Sequence, residues 1–246
     1  MSMKKVLMVL LVCFLVPFLL TAQKIQVVTE EYAPFNFTEK GKLTGFSTEV
    51  VQEVLNELRM DVEMKSLEWS HAYKKALEEP NVLIFTIART EEREELFKWV
   101  GTLAHIEYYF YSLKSRKDIV LNGLEDAKKY RTGVVLDDVR EQLLLQYGFE
   151  RQNQLDPVAE DELNMKKLFS KRIDLWVNTD INIAHLAALN GYNTRKLEKK
   201  LMLSSMDLYM AFGAVTSDVV VKQFSDALER VKKSSRYKKI QNKYVK

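Results

Sequence analysis

The sequence predicts an α/β protein of two lobes, and three observations carry that prediction. Short apolar segments alternate with helical periodicities along most of the 246 residues. The connections between successive apolar segments are long enough for the crossovers that parallel strands require. The alternation then starts afresh past the middle of the chain, with no Pro/Gly/Ser-rich linker between two units of about a hundred residues each.

Residues 24–29 read as a first strand through Ile25, Val27 and Val28, followed by a turn. Ser47 stands where it can cap a helix whose stripe, Val50, Val51, Val54, Leu55 and Leu58, repeats at helical spacing. Val62 and Met64 suggest a second strand, and residues 70–79 a helix carrying Ala72, Tyr73, Ala76 and Leu77 and ended by Pro80. Residues 82–85 are a short, wholly apolar strand, as expected for a sheet covered on both faces. Residues 106–113 form an aromatic-rich strand, after which the second alternation begins at residues 132–136. A helix over residues 138–147 stops at Gly148. Residues 163–169 read as helix, 173–177 as an apolar strand, and 181–189 as a helix closed by Gly191. One more strand covers residues 208–212, and Ser217 caps a long helix with Val220, Phe224, Leu228 and Val231 inside.

Composition narrows the class. With 47% hydrophobic residues and only 8 Gly, 4 Pro and 1 Cys, the chain is neither disordered nor collagen-like nor disulfide-stapled. Its 37 Lys and Arg against 34 Asp and Glu leave a net charge of +3, too little concentrated excess for a dedicated nucleic-acid binder. A small partner is expected instead.

The N-terminus departs from this average. Lys4 and Lys5 precede an uncharged apolar run over residues 6–20 and then Thr21-Ala22-Gln23, the pattern of a cleavable secretory signal over residues 1–22. The run falls short of the ~20 apolar residues of a spanning helix and contains Pro17; an uncleaved anchor is the alternative. Cys13 lies in this leader, so the mature chain is expected to lack cysteine, which excludes thiol catalysis, zinc–thiolate sites and disulfides. A soluble exported protein of the periplasm is implied.

The chemistry-bearing motifs are few. His71, His105 and His185 stand at no metal-ligand spacing, and no nucleophile elbow, P-loop or dinucleotide fingerprint occurs, so neither metal nor cofactor is expected. Acid pairs such as Glu30-Glu31, Glu78-Glu79 and Asp137-Asp138 read as solvated faces in a chain with 29% charged residues. The informative stretch is Phe85-Thr86-Ile87-Ala88-Arg89-Thr90-Glu91-Glu92-Arg93-Glu94, where an apolar strand ends and a short helix begins with Thr90 as cap. Ligands of parallel sheets bind at that edge. Arg93 in a first helical turn would oppose the dipole at a cost of ~0.3 to 1 kcal/mol. Either an incoming carboxylate offsets this through the guanidinium fork, or a neighbouring Glu does.

With these residues in view, the chain resembles the extracellular solute-binding proteins of the polar amino-acid type, the receptors of bacterial ABC importers. The likeness rests on Glu31-Tyr32-Ala33-Pro34-Phe35-Asn36-Phe37, Gly41-Lys42-Leu43-Thr44-Gly45-Phe46-Ser47, Thr90-Glu91-Glu92-Arg93-Glu94, Asp207-Leu208-Tyr209-Met210-Ala211-Phe212 and the closing Tyr237-Lys238-Lys239-Ile240-Gln241-Asn242-Lys243-Tyr244. Each is weak alone; in this order they are strong together. The resemblance implies a two-lobe periplasmic-binding-protein-like type II fold, each lobe a mostly parallel sheet flanked by helices. Lobe 1 would comprise residues 23–112 plus 206–246 and lobe 2 residues 113–205, with crossover strands near residues 111–115 and 204–209. Carried over by position, Arg93 grips a ligand carboxylate, and Tyr32 and Trp69 are aromatic walls; ordinary core packing is the other reading of both.

This chain departs from the family pattern in several places. Ala88 stands where a hydroxyl residue is usual, so either Thr86 and Arg89 complete the carboxylate pocket or Arg89 is a surface cation paired with Glu92. Asp137 and Asp138 replace a Gly-Thr pair; they cap the helix or meet a cationic group on the ligand. The family's amino-group aspartate falls on Thr179, with Asp180 one residue late. The resulting expectation is a monomeric receptor that closes on a small polar solute, an amino acid or relative, and hands it to an ABC permease. An exported dehydratase-like enzyme and a ligand-sensing partner of a membrane signalling protein are the alternatives.

Overall fold

The computed structural model describes residues 24–244, so the leader expected over residues 1–22 lies outside the described residues. The first half of the chain builds β1 (Gln26–Thr29), the hairpin β2 (Phe37–Glu39) and β3 (Lys42–Thr44), α1 (Phe46–Glu57), β4 (Met64–Ser66), α2 (Trp69–Glu78) and β5 (Val82–Ala88). A 17-residue strand, β6 (Phe97–Leu113), leads into α3 (Leu124–Ala127), β7 (Thr132–Val135), α4 (Val139–Gln146), β8 (Leu155–Val158), α5 (Asp161–Phe169), β9 (Leu175–Asn178) and α6 (Asp180–Asn190). A second 17-residue strand, β10 (Leu197–Gly213), returns to α7 (Asp218–Lys232) and α8 (Ser235–Tyr244).

One sheet runs through the molecule in the order β4-β1-β5-β10-β6-β9-β7-β8. At one end β1 pairs in parallel with β4 and β5, and at the other β7 pairs in parallel with β8 and β9. The long strands β6 and β10 pair with each other antiparallel along their whole length and belong to both lobes. Residues 208–212 of β10 lie against β5, whereas Tyr109–Tyr111 of β6 lie against β9. The change of neighbours therefore falls near Ile106, opposite Met206. Tyr111 already faces Trp176 of β9, so the first crossing precedes the 111–115 stretch expected for it.

Burial explains the local choices. All seven residues of β5 are buried, which is why its composition is continuously apolar. Val50, Val51, Val54 and Leu55 of α1 pack with Phe224, Ala227, Leu228 and Val231 of α7 on one face, while Ala72 and Ala76 of α2 cover Val82 and Ile84 on the other. In the second lobe Met165, Leu168, Trp176, Ile183 and Ala187 form the corresponding core. Ser217, Asp138 and Thr179 cap α7, α4 and α6 through their side chains.

Ser47 does not cap α1; it is buried within the first turn, and Gly45 takes the cap position. Gly45 has φ 119°, and a Cβ there would lie 2.4 Å from the Phe35 carbonyl oxygen, so only glycine admits the close turn. The turn expected after β1 is a hairpin whose tip, Lys40 and Gly41, has φ of 51° and 76°.

Candidate functional site

The site forms where strand ends of both lobes meet. From the first lobe come the end of β1, the start of α2, the end of β5 and the turn after it; from the second come the turn after β7 and the start of α4. Glu30, Tyr32, Trp69, Thr86, Ala88 and Arg93 face Tyr108, Asp138, Val139 and Arg140 around a cavity of about 20 Å³, the room of one water. Three hydrogen bonds tie the lobes together there. Trp69 Nε1 donates to the Asp137 carbonyl at 2.8 Å, an Arg93 Nη2 hydrogen reaches Gln142 Oε1 at 2.9 Å, and Asn182 Nδ2 donates to the Ala33 carbonyl at 2.7 Å.

Arg93 lies in a single 3₁₀ turn, Glu91–Arg93, rather than in a longer helix, and Thr90 makes no side-chain cap. It is 1% exposed. Its guanidinium carbon sits 5.2 Å from the ring centres of both Trp69 and Tyr73. One Nη donates to the Ala88 carbonyl at 3.1 Å, while Nε has no partner. Burial works against its charge, partly offset by Tyr73, Asp138, Tyr108 and Glu30.

Thr86 is the extra residue of a β-bulge. Tyr209 pairs with Ile87 and Met210 with Phe85, which leaves Thr86 unpaired at φ 66°. Its hydroxyl is buried at the cavity without a hydrogen bond. A β-branched residue held in the left-handed region, with an orphaned hydroxyl, is strain maintained at a cleft.

On the second lobe, Asp138 Oδ1 accepts from the Glu141 amide at 3.0 Å, and its other oxygen takes Arg140 Nε. Arg140 is itself buried and reaches Asp161 with two contacts of 2.8 and 3.0 Å and the Val177 carbonyl at 3.2 Å. Burial opposes its charge, and Asp138 and Asp161 more than offset that, holding Arg140 well above its ordinary value. Between the lobes stands half-buried Glu30, whose carboxyl makes no hydrogen bond among the described residues. Burial and then the facing Asp138 push its pKa up to about 8, against Arg140 and Arg93.

The nine residues singled out from sequence thus divide. Tyr32, Trp69, Thr86, Arg93 and Asp138 line the cavity. Thr179 is buried close by but is occupied in capping α6, accepting from Asn182 N at 3.2 Å. Arg89 lies outside, paired with Glu94 rather than Glu92 and set over Trp99 and Tyr209. Asp137 turns its carboxylate to Arg151, because its backbone adopts φ 57° at the turn and only its carbonyl faces Trp69. Asp180 is 66% exposed and bonded to Tyr111 and Lys199, since as the first residue of α6 it points along the outside of β6.

Glu30, Tyr108, Arg140 and Gln142 were missed. A usable signal existed for Arg140, a cation in the first turn of a helix, the same reasoning that picked out Arg93. Among the described residues no cluster of His, Cys, Asp or Glu could hold a metal, and no helix is long and apolar enough to cross a membrane.

Two α/β lobes sharing one sheet through a pair of long strands, with a polar cleft where the strand ends meet, define a type II periplasmic-binding-protein-like fold. Residues 25–246 match the family profile, and the chain belongs to the bacterial extracellular solute-binding proteins, family 3. It is 23% identical over 217 residues to the probable amino-acid-binding protein YxeM of Bacillus subtilis, covering 88% of this chain and 81% of that one. Its fold is similar to that of a histidine kinase sensor domain resembling periplasmic binding proteins, with TM-score 0.80 at 17% identity, covering 91% and 96% of the two chains. It is also similar to the arginine-, lysine-, histidine-binding protein ArtJ of Geobacillus stearothermophilus, with TM-score 0.77 at 18% identity and coverage of 91% and 95%.

Proposed function

We propose that this chain is the exported receptor of an ABC importer, which captures a small polar solute, an amino acid or relative, between its lobes and delivers it to a permease. The observation that carries the reading is the buried Arg93, joined to the second lobe through Gln142 and left with an unpartnered Nε beside the unpartnered Thr86 hydroxyl. A carboxylate admitted there as the lobes part and the one-water cavity widens would satisfy both donors and supply the charge that burial withholds. The names borne by YxeM and ArtJ support an amino-acid-like ligand.

Closure follows from the same geometry. A ligand shifts an open–closed equilibrium only by its differential affinity for the closed form, so it must touch both lobes. Here Arg93, Thr86 and Trp69 come from one lobe and Asp138 and Arg140 from the other. In this reading the first lobe ends and the second begins near Ile106 on β6, the chain returns near Met206 on β10, and the receptor works as a monomer without a cofactor.

The test is to unfold the mature protein to strip carried-over solute, refold it, and screen a metabolite panel by thermal shift; a true ligand raises Tm as RT ln(1 + [L]/Kd). Arg93→Ala should weaken the hit by ~2 to 5 kcal/mol. Unchanged affinity in calorimetry would remove Arg93 from the site.

A further inference from the structure

The lobes also touch away from the cavity, where α6 of the second lobe meets the β2–β3 hairpin of the first and the chain leading into it. Asn182 and His185, three positions apart, share one face of α6. Asn182 donates to the Ala33 carbonyl, and one turn on the His185 imidazole packs edge-on with the Phe37 ring, centroids 4.5 Å apart and planes at 60°. Neither ring lines the inner cavity. Phe37 is firmly placed, since it pairs with Thr44 across the hairpin and its neighbour Thr38 is bonded to Glu31 through amide and hydroxyl, both at 2.7 Å. His185 Nε2 is buried at this contact without a hydrogen bond.

Resting on the receptor reading above, we infer that His185 is a positioning residue for lobe closure, a clasp that holds α6 on the hairpin while neutral and releases it when protonated. A neutral ring tolerates one buried nitrogen without a partner. The imidazolium carries an N–H on both nitrogens, and its Nε2 hydrogen would meet no acceptor here while its charge is withheld from water. The charged group facing the ring is Glu39 of β2, and α6 itself contributes none among the described residues. Glu39 favours the cation, but burial outweighs it and holds His185 below its ordinary value of 6.5. Parting the lobes takes Phe37 away and opens Nε2 to water, so the open form binds the proton more readily. The clasp is therefore complete above pH 6.5 and weakens as pH falls below it, by up to about tenfold in the closure equilibrium for each pH unit. Affinity for any solute held between the lobes is then set partly by a residue that does not touch it. Glu30, which keeps its proton to about pH 8 between the closed lobes, acts in the opposite sense, favouring closure in acid.

The test needs no solute. The sequence has three histidines, His71, His105 and His185, so imidazole carbon–proton NMR of the stripped protein can follow each through a pH titration, with His185→Gln assigning the signal. His185 is expected to titrate below 6.5 in the wild type and to move up toward 6.5 in Phe37→Ala. Small-angle scattering then compares the wild type with His185→Phe, which keeps the ring contact and removes the titration. Their radii of gyration should agree at about pH 8, and the wild type should become the larger of the two by about pH 5.5. Because Glu30 is common to both chains, the difference between them reports His185. A wild-type His185 that titrates at or above 6.5, or radii that stay equal down to about pH 5.5, overturns the inference. Should His185→Phe fail to fold, the two NMR titrations decide the matter. Neither measurement depends on which solute binds, so the receptor reading stands or falls separately, on the metabolite panel.

Discussion

The Trp69 indole donates to the Asp137 carbonyl at 2.8 Å, and through this bond the first turn of α2 grips the loop that leads into α4 of the other lobe. The bond exists only when the lobes meet. Trp69→Phe keeps the ring and removes the donor, at about 1 kcal/mol. It should favour the open form roughly fivefold, since RT sets that ratio, and small-angle scattering should report a larger radius of gyration with Tm little changed.

Arg93→Met separates stability from recognition. A buried cation with an unpartnered donor costs desolvation that a flexible apolar side chain avoids. The variant should melt no lower than wild type in the absence of solute, and should lose the ligand-induced rise in Tm. A large drop in melting temperature would show that Arg93 serves the fold.

Arg140 should behave in the opposite way. It joins Asp138 to Asp161 in the interior, and its removal leaves two buried carboxylates facing each other. Arg140→Ala should cost about 3 to 5 kcal/mol in denaturant unfolding.

Glu30 gives a pH signature to the unliganded protein. Its carboxyl keeps a proton to about pH 8 when folded, against an ordinary value of 4.5. Between those limits the folded chain binds more protons than the unfolded one, so this contribution is complete below pH 4.5 and is lost as pH rises through 8. Melting curves of wild type and Glu30→Gln should therefore diverge with rising pH over that window, the wild type falling relative to the variant.

Thr86→Ala removes a buried hydroxyl that has no partner. Deleting an unsatisfied group is neutral or stabilising, so Tm should hold or rise, while affinity for a carboxylate ligand should fall by roughly tenfold.

What sequence made legible follows the burial pattern. The α1 stripe and the fully buried β5 showed themselves because each meets a single kind of surrounding along its length. The outer halves of the long strands did not. Leu197-Glu198-Lys199-Lys200 and Ser204-Ser205-Met206 of β10 have neither face fully covered, so no alternation marks them. Arg93 was legible from its place at a strand end, independent of the second lobe. Glu30 looked like half of a solvated acid pair, because its burial is a product of the tertiary fold, and Asp138 and Asp161, whose charges add to the upward push, lie more than a hundred residues away.

The register of β6 against β10 makes the second lobe a transplantable piece. The chain enters it at Ile106 and leaves it at Met206, two positions opposed in register. Everything between them could be exchanged for the matching segment of a relative without disturbing the packing of α1, α2 and α7 on the first lobe. New pairings of half-sites are then accessible to recombination in a single event, and a chimaera joined at these two residues would show which lobe writes the choice of solute.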